Sequence, residues 1–286
     1  MGFNEEYNKI LELVKPDIAK VTDDLVSEIN LNDPLNSSLK NLLTAPSKHI
    51  RTLLAFLYLK TNNIEINDRQ IYLQSAVELI HNASLIHDDI IDESPTRRNI
   101  QTIHSEFDNK LAVISGDYLL AAALRKISTL NNSTVTELFS DIMKTMCGGE
   151  INQYFSKYQK ISLSDYITKS QQKTAALFQA AIESAAILSG NLSRSEAKDF
   201  AINFGTAFQI RDDLINFKTT KSDLNAGIYT APVILAENSS DISDGIEKTI
   251  RLLNNYIDKS YDIIKNLDGN PYKLAIVELL ELFRHD

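Results

Sequence analysis

Residues 75–92 read SAVELIHNASLIHDDIID. Wound at about 100° per residue, this stretch is apolar or small on nearly every face, so it predicts a helix surrounded by other helices. It ends in Asp88, Asp89 and Asp92. A buried helix rarely ends in three carboxylates without a reason, because unpaired charge is costly inside a protein. Asp88 and Asp92 fall about 40° apart on one helical face, so their mutual repulsion calls for a cation.

Outward from this helix, apolar residues keep helical spacing through most of the chain. Helices are predicted over about 3–31, 36–60 with a break near Pro46, 68–92, 106–130, 133–158, 162–190, 194–217, 228–237, 243–266 and 270–284. Asn67, Ser162 or Ser164, and Ser193 stand where start caps belong, and Pro95 closes the Asp-rich helix. Nine glycines and six prolines in 286 residues leave little turn punctuation. No β-alternation of useful length, solenoid repeat or low-complexity linker interrupts the pattern. The polar stretches 61–68, 93–104 and 218–226 read as loops within one all-α domain spanning residues 1–286.

The bulk properties exclude several classes. A net charge of −9 argues against a nucleic-acid binder, which usually carries a basic balance. The single Cys147 rules out an intrachain disulfide framework and a cysteine-rich metal site, and fits a reducing interior. The N-terminal MGFNEEYNKI is not a secretory signal, and no apolar run approaches the ~18 residues of a membrane span. The expectation is a soluble, cytoplasmic protein.

A second acidic pair, Asp212 and Asp213, lies in FGTAFQIRDDLINF (204–217), with Gln209 one turn back. Two such clusters facing each other across a bundle suit Mg²⁺ ions that bridge carboxylates to a diphosphate and stabilise charge on a departing group. Blander readings stay open: a solvated acidic helix end for the first cluster, although acids there oppose the helix dipole, and a surface ion pair with Arg211 for the second. A diphosphate also needs fixed cations. Arg97 and Arg98 follow the first cluster, Lys48 and Arg51 share a helical face, and Lys173 stands beside Thr174. Singly, each reads as a surface charge.

Together these blocks resemble the trans-isoprenyl (polyprenyl) diphosphate synthase family: SKHIRTLL (47–54), ELIHNASLIHDDIIDESPTRRN (78–99), AVISGDYLLAAAL (112–124), KTAALF (173–178), FGTAFQIRDD (204–213) and SDLNAGIYTAPVI (222–234). They stand in family order over roughly two thirds of the chain. The resemblance implies a large single-domain helical bundle of the isoprenoid synthase type. It also implies a prenyltransferase that joins isopentenyl diphosphate to an allylic diphosphate. By position, Lys48, Arg51, His81 and Arg98 are implied to bind isopentenyl diphosphate, and Arg97, Lys173, Thr174 and Gln209 to surround the allylic diphosphate. Asp88, Asp92 and Asp212 are implied as Mg²⁺ ligands, with Asp89 and Asp213 in support and Lys218 on the allylic phosphate. A homodimer is implied, with a small accessory subunit as the alternative. His87 and His104 carry no clear duty, and Phe208 either shields a cation with its ring or is core.

The departures are specific. Pro46-Ser47 replaces a glycine pair, His49 an arginine, Thr52 a proline, Asn99 a glycine, Asn216 the last Asp of the second motif, and Ile228 a lysine. They raise the alternative of a partner-dependent subunit. A class I terpene cyclase shares the DDxxD motif but lacks an isopentenyl pocket and carries a further metal motif not found here. A di-iron bundle needs Glu-x-x-His pairs, absent from the key helices. Ala83 and Ser84, just before the Asp motif, are small. In the family that the chain resembles, the growing tail runs beside this helix, so the stripe Ala83, Ile80 and Ala76 implies room for a long product tail.

Overall fold

Asn67 starts the helix on which the molecule is centred: its side chain accepts the Gln70 N–H, and α5 (Asp68–Ile91) runs from there to Asp92. Leu73, Ala76, Leu79, Ile80, Ala83 and Ile86 of α5 are almost wholly buried. That is what an all-round apolar sequence demands. The computed structural model describes residues 3–237 and 242–284. Before α5 come α1 (Phe3–Glu12), α2 (Lys15–Ser27), α3 (Leu35–Thr44) and α4 (Ile50–Thr61). After it come a hairpin of β1 (Thr96–Arg97) and β2 (Ile100–Gln101), then α6 (Ile103–Glu106), α7 (Asn109–Thr129), α8 (Ser133–Phe155), α9 (Leu163–Ser170), a π-helical turn (Gln171–Ala175) and α10 (Ala176–Ser189). The chain closes with α11 (Arg194–Lys218), α12 (Ser222–Asn225), α13 (Ala231–Leu235), α14 (Ser243–Ile264) and α15 (Pro271–Arg284). No helix among the described residues is long and apolar enough to cross a membrane.

Helices α2, α7, α10 and α4 surround α5, and α11 packs on α10 and α14. Polar ties fix the register inside this apolar bundle. Gln70 and Gln74 donate to the Ala185 and Ala181 carbonyls of α10, each at 3.0 Å. The buried Lys126 ammonium of α7 meets Asp24 of α2 and Glu28 just after it at 2.7 and 2.8 Å and lies 3.9 Å from the Tyr72 ring centre on α5. Core residues from Tyr7 to Phe283 form one cluster.

Where the structure departs from the sequence-based spans, a local cause is visible. The first predicted helix breaks at Leu13–Val14, ahead of Pro16 in the first turn of α2. Asp108 caps α7 by accepting the Leu111 N–H at 2.7 Å, which splits it from α6. The stretch from Ala45 to His49 is not helical, and His49 takes a left-handed conformation (φ 45°) before α4. The loop over 93–104 contains a short ladder that the alternation test missed, with Arg97 opposite Ile100. Its two turn residues, Arg98 (φ 52°) and Asn99 (φ 63°), both have positive φ, the geometry of a type I′ turn. Asparagine tolerates that conformation, so Asn99 does there what a glycine would.

Close approach between α11 and the π-turn rests on Gly205, where a Cβ would lie 2.6 Å from the Ala175 Cα and 3.0 Å from the Phe178 ring. Backbone cannot give way as a flexible side chain does. Gly205→Ala is therefore expected to lower unfolding free energy by about 1–3 kcal/mol, read as a fall in the urea midpoint at unchanged slope.

Candidate active site

A cavity of about 470 Å³ opens where α4 begins, against the middle of α5. Lys48, His49, Arg51, Glu78, His81, Arg98 and Phe208 line it. The four residues expected to hold isopentenyl diphosphate are thus brought together from three separate segments. Arg51 lies over the Phe178 ring at 4.9 Å and reaches the His81 Nε2 at 3.4 Å. Burial brings Arg51 down to about 10, so it stays charged at neutral pH. Burial and then the Arg51 charge hold His81 well below its ordinary value. The imidazole is neutral, its Nε2 accepts from a guanidinium that can only donate, and Nδ1 is left as the N–H. Arg98 enters from the hairpin turn. Lys48 sits 4.5 Å from the Phe3 ring centre, and the Tyr7 hydroxyl donates to its carbonyl at 2.5 Å, so α1 backs this wall. Burial, followed by the Arg211 charge, lowers Lys48.

One carboxylate lies among these cations. The Thr52 hydroxyl donates to Glu78 Oε1 at 2.7 Å, and His49 Nδ1 stands 3.6 Å from Oε2. Burial alone would raise the Glu78 carboxyl, but the neighbouring His49 imidazole and the Thr52 hydroxyl bring it to about 2. Sequence reading passed over Glu78 and noted His49 and Thr52 only as departures. They converge on one group.

Beside this cavity lies a cleft of acids. Asp88 is pushed up to about 6 by burial, with Lys173 opposing and Glu150 and Asp92 adding to the rise. Asp92 follows the last turn of α5. Asp212 stands exposed on α11, its carboxyl raised by partial burial and held back by Arg211 and Lys48. Asp223 is raised by burial and then by Asp212, with Asp92 contributing, so it links the two clusters. Lys173 meets Glu150 at 2.7 Å and also feels Asp88 and Asp92. Lys173 and five acids therefore share one cleft.

Five of the expected site residues, Asp89, Arg97, Thr174, Gln209 and Asp213, are engaged in hydrogen bonds with protein partners. Asp89, only 3% exposed, accepts from Arg97 Nε at 2.6 Å, which holds Arg97 against the base of the hairpin. Asp213 accepts from the Tyr166 hydroxyl and from Gln209 Nε2, both at 2.6 Å, and burial raises it to about 7. The other end of Gln209 accepts from Thr174 in the π-turn. Thr174, Gln209, Asp213 and Tyr166 thus form a rail that fixes the turn carrying Lys173. Tyr166 is seven residues before Lys173, hence nearly on its helical face; that spacing was the available signal for it. Lys218 is exposed at the end of α11, away from these ties. Asn216 donates to Ser222 at 2.7 Å and accepts the Asp223 N–H at 3.4 Å, so its side chain shapes the loop.

The donors facing the cleft are all carboxylate oxygens. Among the described residues no three His, Cys, Asp or Glu side chains converge into a ready-made metal site. That set fits a hard divalent cation whose shell is completed by phosphate oxygens and water.

A sequence model of the family described as Polyprenyl synthetase matches residues 32–265. A prenyl transferase of Cyanidium caldarium is 32% identical over 95% of this chain and 96% of its own length. A decaprenyl-diphosphate synthase of Dictyostelium discoideum is 33% identical over 96% of this chain and 68% of its own. Among solved structures, a decaprenyl diphosphate synthase from Rhodobacter capsulatus superposes with a TM-score of 0.87 at 22% identity, covering 97% of this chain and 98% of that one. A polyprenyl synthase from Caulobacter crescentus, complexed with calcium and isoprenyl diphosphate, superposes with a TM-score of 0.87 at 24% identity, covering 98% of each. Both structures share the all-α fold.

The raised Asp88 carboxyl has a consequence for stability. The folded protein binds its proton more tightly than the unfolded chain does, so charging Asp88 destabilises the metal-free fold as pH rises from about 4 through about 6. Asp88→Asn should raise unfolding free energy by ~1–2 kcal/mol above pH 7, allowing for partial solvent screening, and by nothing below pH 4. Urea titrations of both proteins without metal, at several pH values, check this.

Proposed function

The chain belongs to the polyprenyl synthetase family, and from that premise we propose that it condenses isopentenyl diphosphate with an allylic diphosphate to give a long trans-polyprenyl diphosphate. It is a prenyltransferase. The observation that carries the assignment of substrates is the pairing of two unlike anion sites. One is a cavity lined by fixed cations, Lys48, Arg51 and Arg98, whose single carboxylate is already engaged. The other is a cleft where Asp88, Asp92 and Asp212 outnumber nearby cations. The first suits a diphosphate that is only held. The second suits one that departs with a metal.

In this reading Asp88, Asp92 and Asp212 hold the divalent ion, taken to be Mg²⁺, and Asp223 flanks them. The ion supplies electrophilic stabilisation of charge on the departing diphosphate. Lys173 exchanges Glu150 for the allylic diphosphate, and the Thr174–Gln209–Asp213 rail keeps it aimed. Arg97, braced by Asp89, closes the hairpin side, and Lys218, exposed at the end of α11, is assigned to the same phosphate. As the allylic carbon–oxygen bond breaks, pyrophosphate leaves. The isopentenyl double bond then attacks the allylic carbon, and the new cation loses a proton to pyrophosphate. Phe208, packed 5.4 Å from Phe178 and 5.8 Å from Phe283, walls the reacting carbons from water and turns a ring face toward them. Four isopentenyl-site side chains contributed by one chain support catalysis without an accessory subunit.

The core running from Tyr7 to Phe283 supports a single domain. The exposed apolar residues Val113, Ile114 and Leu124 of α7, with Ile151, Tyr154 and Phe155 of α8, support a homodimer through these two helices. The lone exposed thiol of Cys147 supports a reducing compartment, the cytoplasm.

Incubation with isopentenyl diphosphate, a short allylic primer and Mg²⁺ tests the reaction, and absence of a prenyl product overturns it. Arg98→Ala should raise KM for isopentenyl diphosphate, and Lys173→Ala that for the primer, each by about 30–100-fold, as expected for a lost charge-assisted contact worth ~2–3 kcal/mol. Equal effects on both substrates defeat the division into two sites. For the dimer, Ile114→Glu together with Phe155→Glu should halve the mass seen by light scattering at micromolar concentration.

A further inference from the structure

His49 lines the cationic cavity and has so far figured only as a neighbour of Glu78. Its backbone holds a left-handed conformation (φ 45°) that places it at the start of α4 with no side-chain cap of its own. Asn, Asp and His tolerate that conformation better than most residues. The ring is mostly buried, with 20% of the side chain exposed, and Nδ1 stands 3.6 Å from Glu78 Oε2. The opposite oxygen of Glu78 is already taken by Thr52 at 2.7 Å. The imidazole therefore turns its Nδ1 edge toward Glu78, and Nε2 is the nitrogen not facing it. The same cavity is lined by Lys48, Arg51 and Arg98, which would hold a diphosphate.

We propose that His49 is a proton-linked ligand of the diphosphate bound in this cavity: Glu78 holds Nδ1–H, and Nε2 takes a proton from solvent as the anion arrives and donates it to a phosphate oxygen. This rests on the assignment of the cavity to isopentenyl diphosphate. Two opposing influences set the linkage. Lys48 and Arg51 on its own segment, and Arg98 on the hairpin, oppose a positive imidazole in the empty cavity. Glu78 on the facing side of α5 favours it. A diphosphate neutralises the three cations and adds negative charge, so the balance tips toward imidazolium. The other groups facing this wall do not take over the task. His81 is kept neutral with its Nε2 occupied by Arg51. Tyr7, on α1, is pushed above its ordinary value by burial. Arg211 and Asp212, on α11, act on Lys48 behind the cavity. The consequence is an isopentenyl diphosphate affinity that strengthens as pH falls through neutrality.

Isothermal calorimetry with isopentenyl diphosphate alone, in metal-free buffers of unlike ionisation enthalpy, counts the protons exchanged on binding. The comparison variants are His49→Asn, which suits positive φ, and His49→Arg, which supplies a permanent cation. Near pH 7 wild type should take up about 0.3–0.7 proton more than either variant, since an imidazole is the side chain that ordinarily titrates there. His49→Asn should bind about tenfold more weakly, the size of one charge-assisted hydrogen bond, whereas His49→Arg should bind with an affinity that changes less between pH 6 and 8. Differencing against the variants cancels protons released by the diphosphate itself. Equal proton uptake in all three proteins overturns the proposal while leaving the cavity assignment intact. No binding heat with wild type overturns the cavity assignment instead.

Discussion

A carboxylate inside an apolar helical bundle must be answered by a donor or a cation, and here the acids divide according to how they are answered. Glu78 has Thr52 and His49, Asp89 has Arg97, Asp213 has Tyr166 and Gln209, and Glu150 has Lys173. These groups hold helices and turns in place. Asp88, Asp92, Asp212 and Asp223 make no side-chain salt bridge among the described residues, and burial raises Asp88, Asp212 and Asp223. Their repulsion persists because the surrounding helices over-determine their positions, as stored strain at a functional site must be. Work done to hold like charges together is recovered when a divalent ion arrives.

The same division places the cations. Arg51 is fixed by burial against Phe178 and by His81, and Arg98 by a tight turn whose positive φ leaves its backbone one conformation. Neither needs to move to meet an anion, so little ordering entropy opposes binding. Lys173 is different. It rests on Glu150 in the cleft, and its carrier is a π-helical turn, a local widening of the helix that often marks function. A rigid cavity for the substrate that is held and an exchangeable lysine for the substrate that departs follow from these two constructions.

Much of this was legible in the sequence because it depends on local pattern. The all-round apolar run before Asp88 required a central helix, and the caps Asn67, Ser162 and Ser193 fall where side-chain preference puts them. The convergence of Lys48, Arg51, His81 and Arg98 followed from family order. What was not legible depends on contacts far apart in the chain. Tyr166 and Asp213 are separated by 47 positions, and Thr52 and Glu78 by 26. No spacing rule connects them. The hairpin escaped notice because two-residue strands are too short to show alternation, although Arg98-Asn99 at a positive-φ turn was a usable sign. Asp89 and Asp213 read as members of acidic motifs, yet their donors turn them inward, since adjacent residues on a helix point about 100° apart.

The amide at the end of the second acidic motif shows how a side chain with both a donor and an acceptor can fold a loop. An aspartate at position 216 could accept the Asp223 N–H but could not donate to Ser222. The amide of Asn216 does both, closing the loop after α11 into a tight return. That return carries Asp223 back until it acts electrostatically on Asp212 and Asp92. Gly227 then passes beneath the Tyr158 ring, where any Cβ would lie 2.5 Å from it, and the Tyr158 N–H donates to the Gly227 carbonyl at 2.7 Å. The loop is thereby pinned at both ends. Asp223 thus joins Asp92 and Asp212 on a loop that the asparagine itself folds.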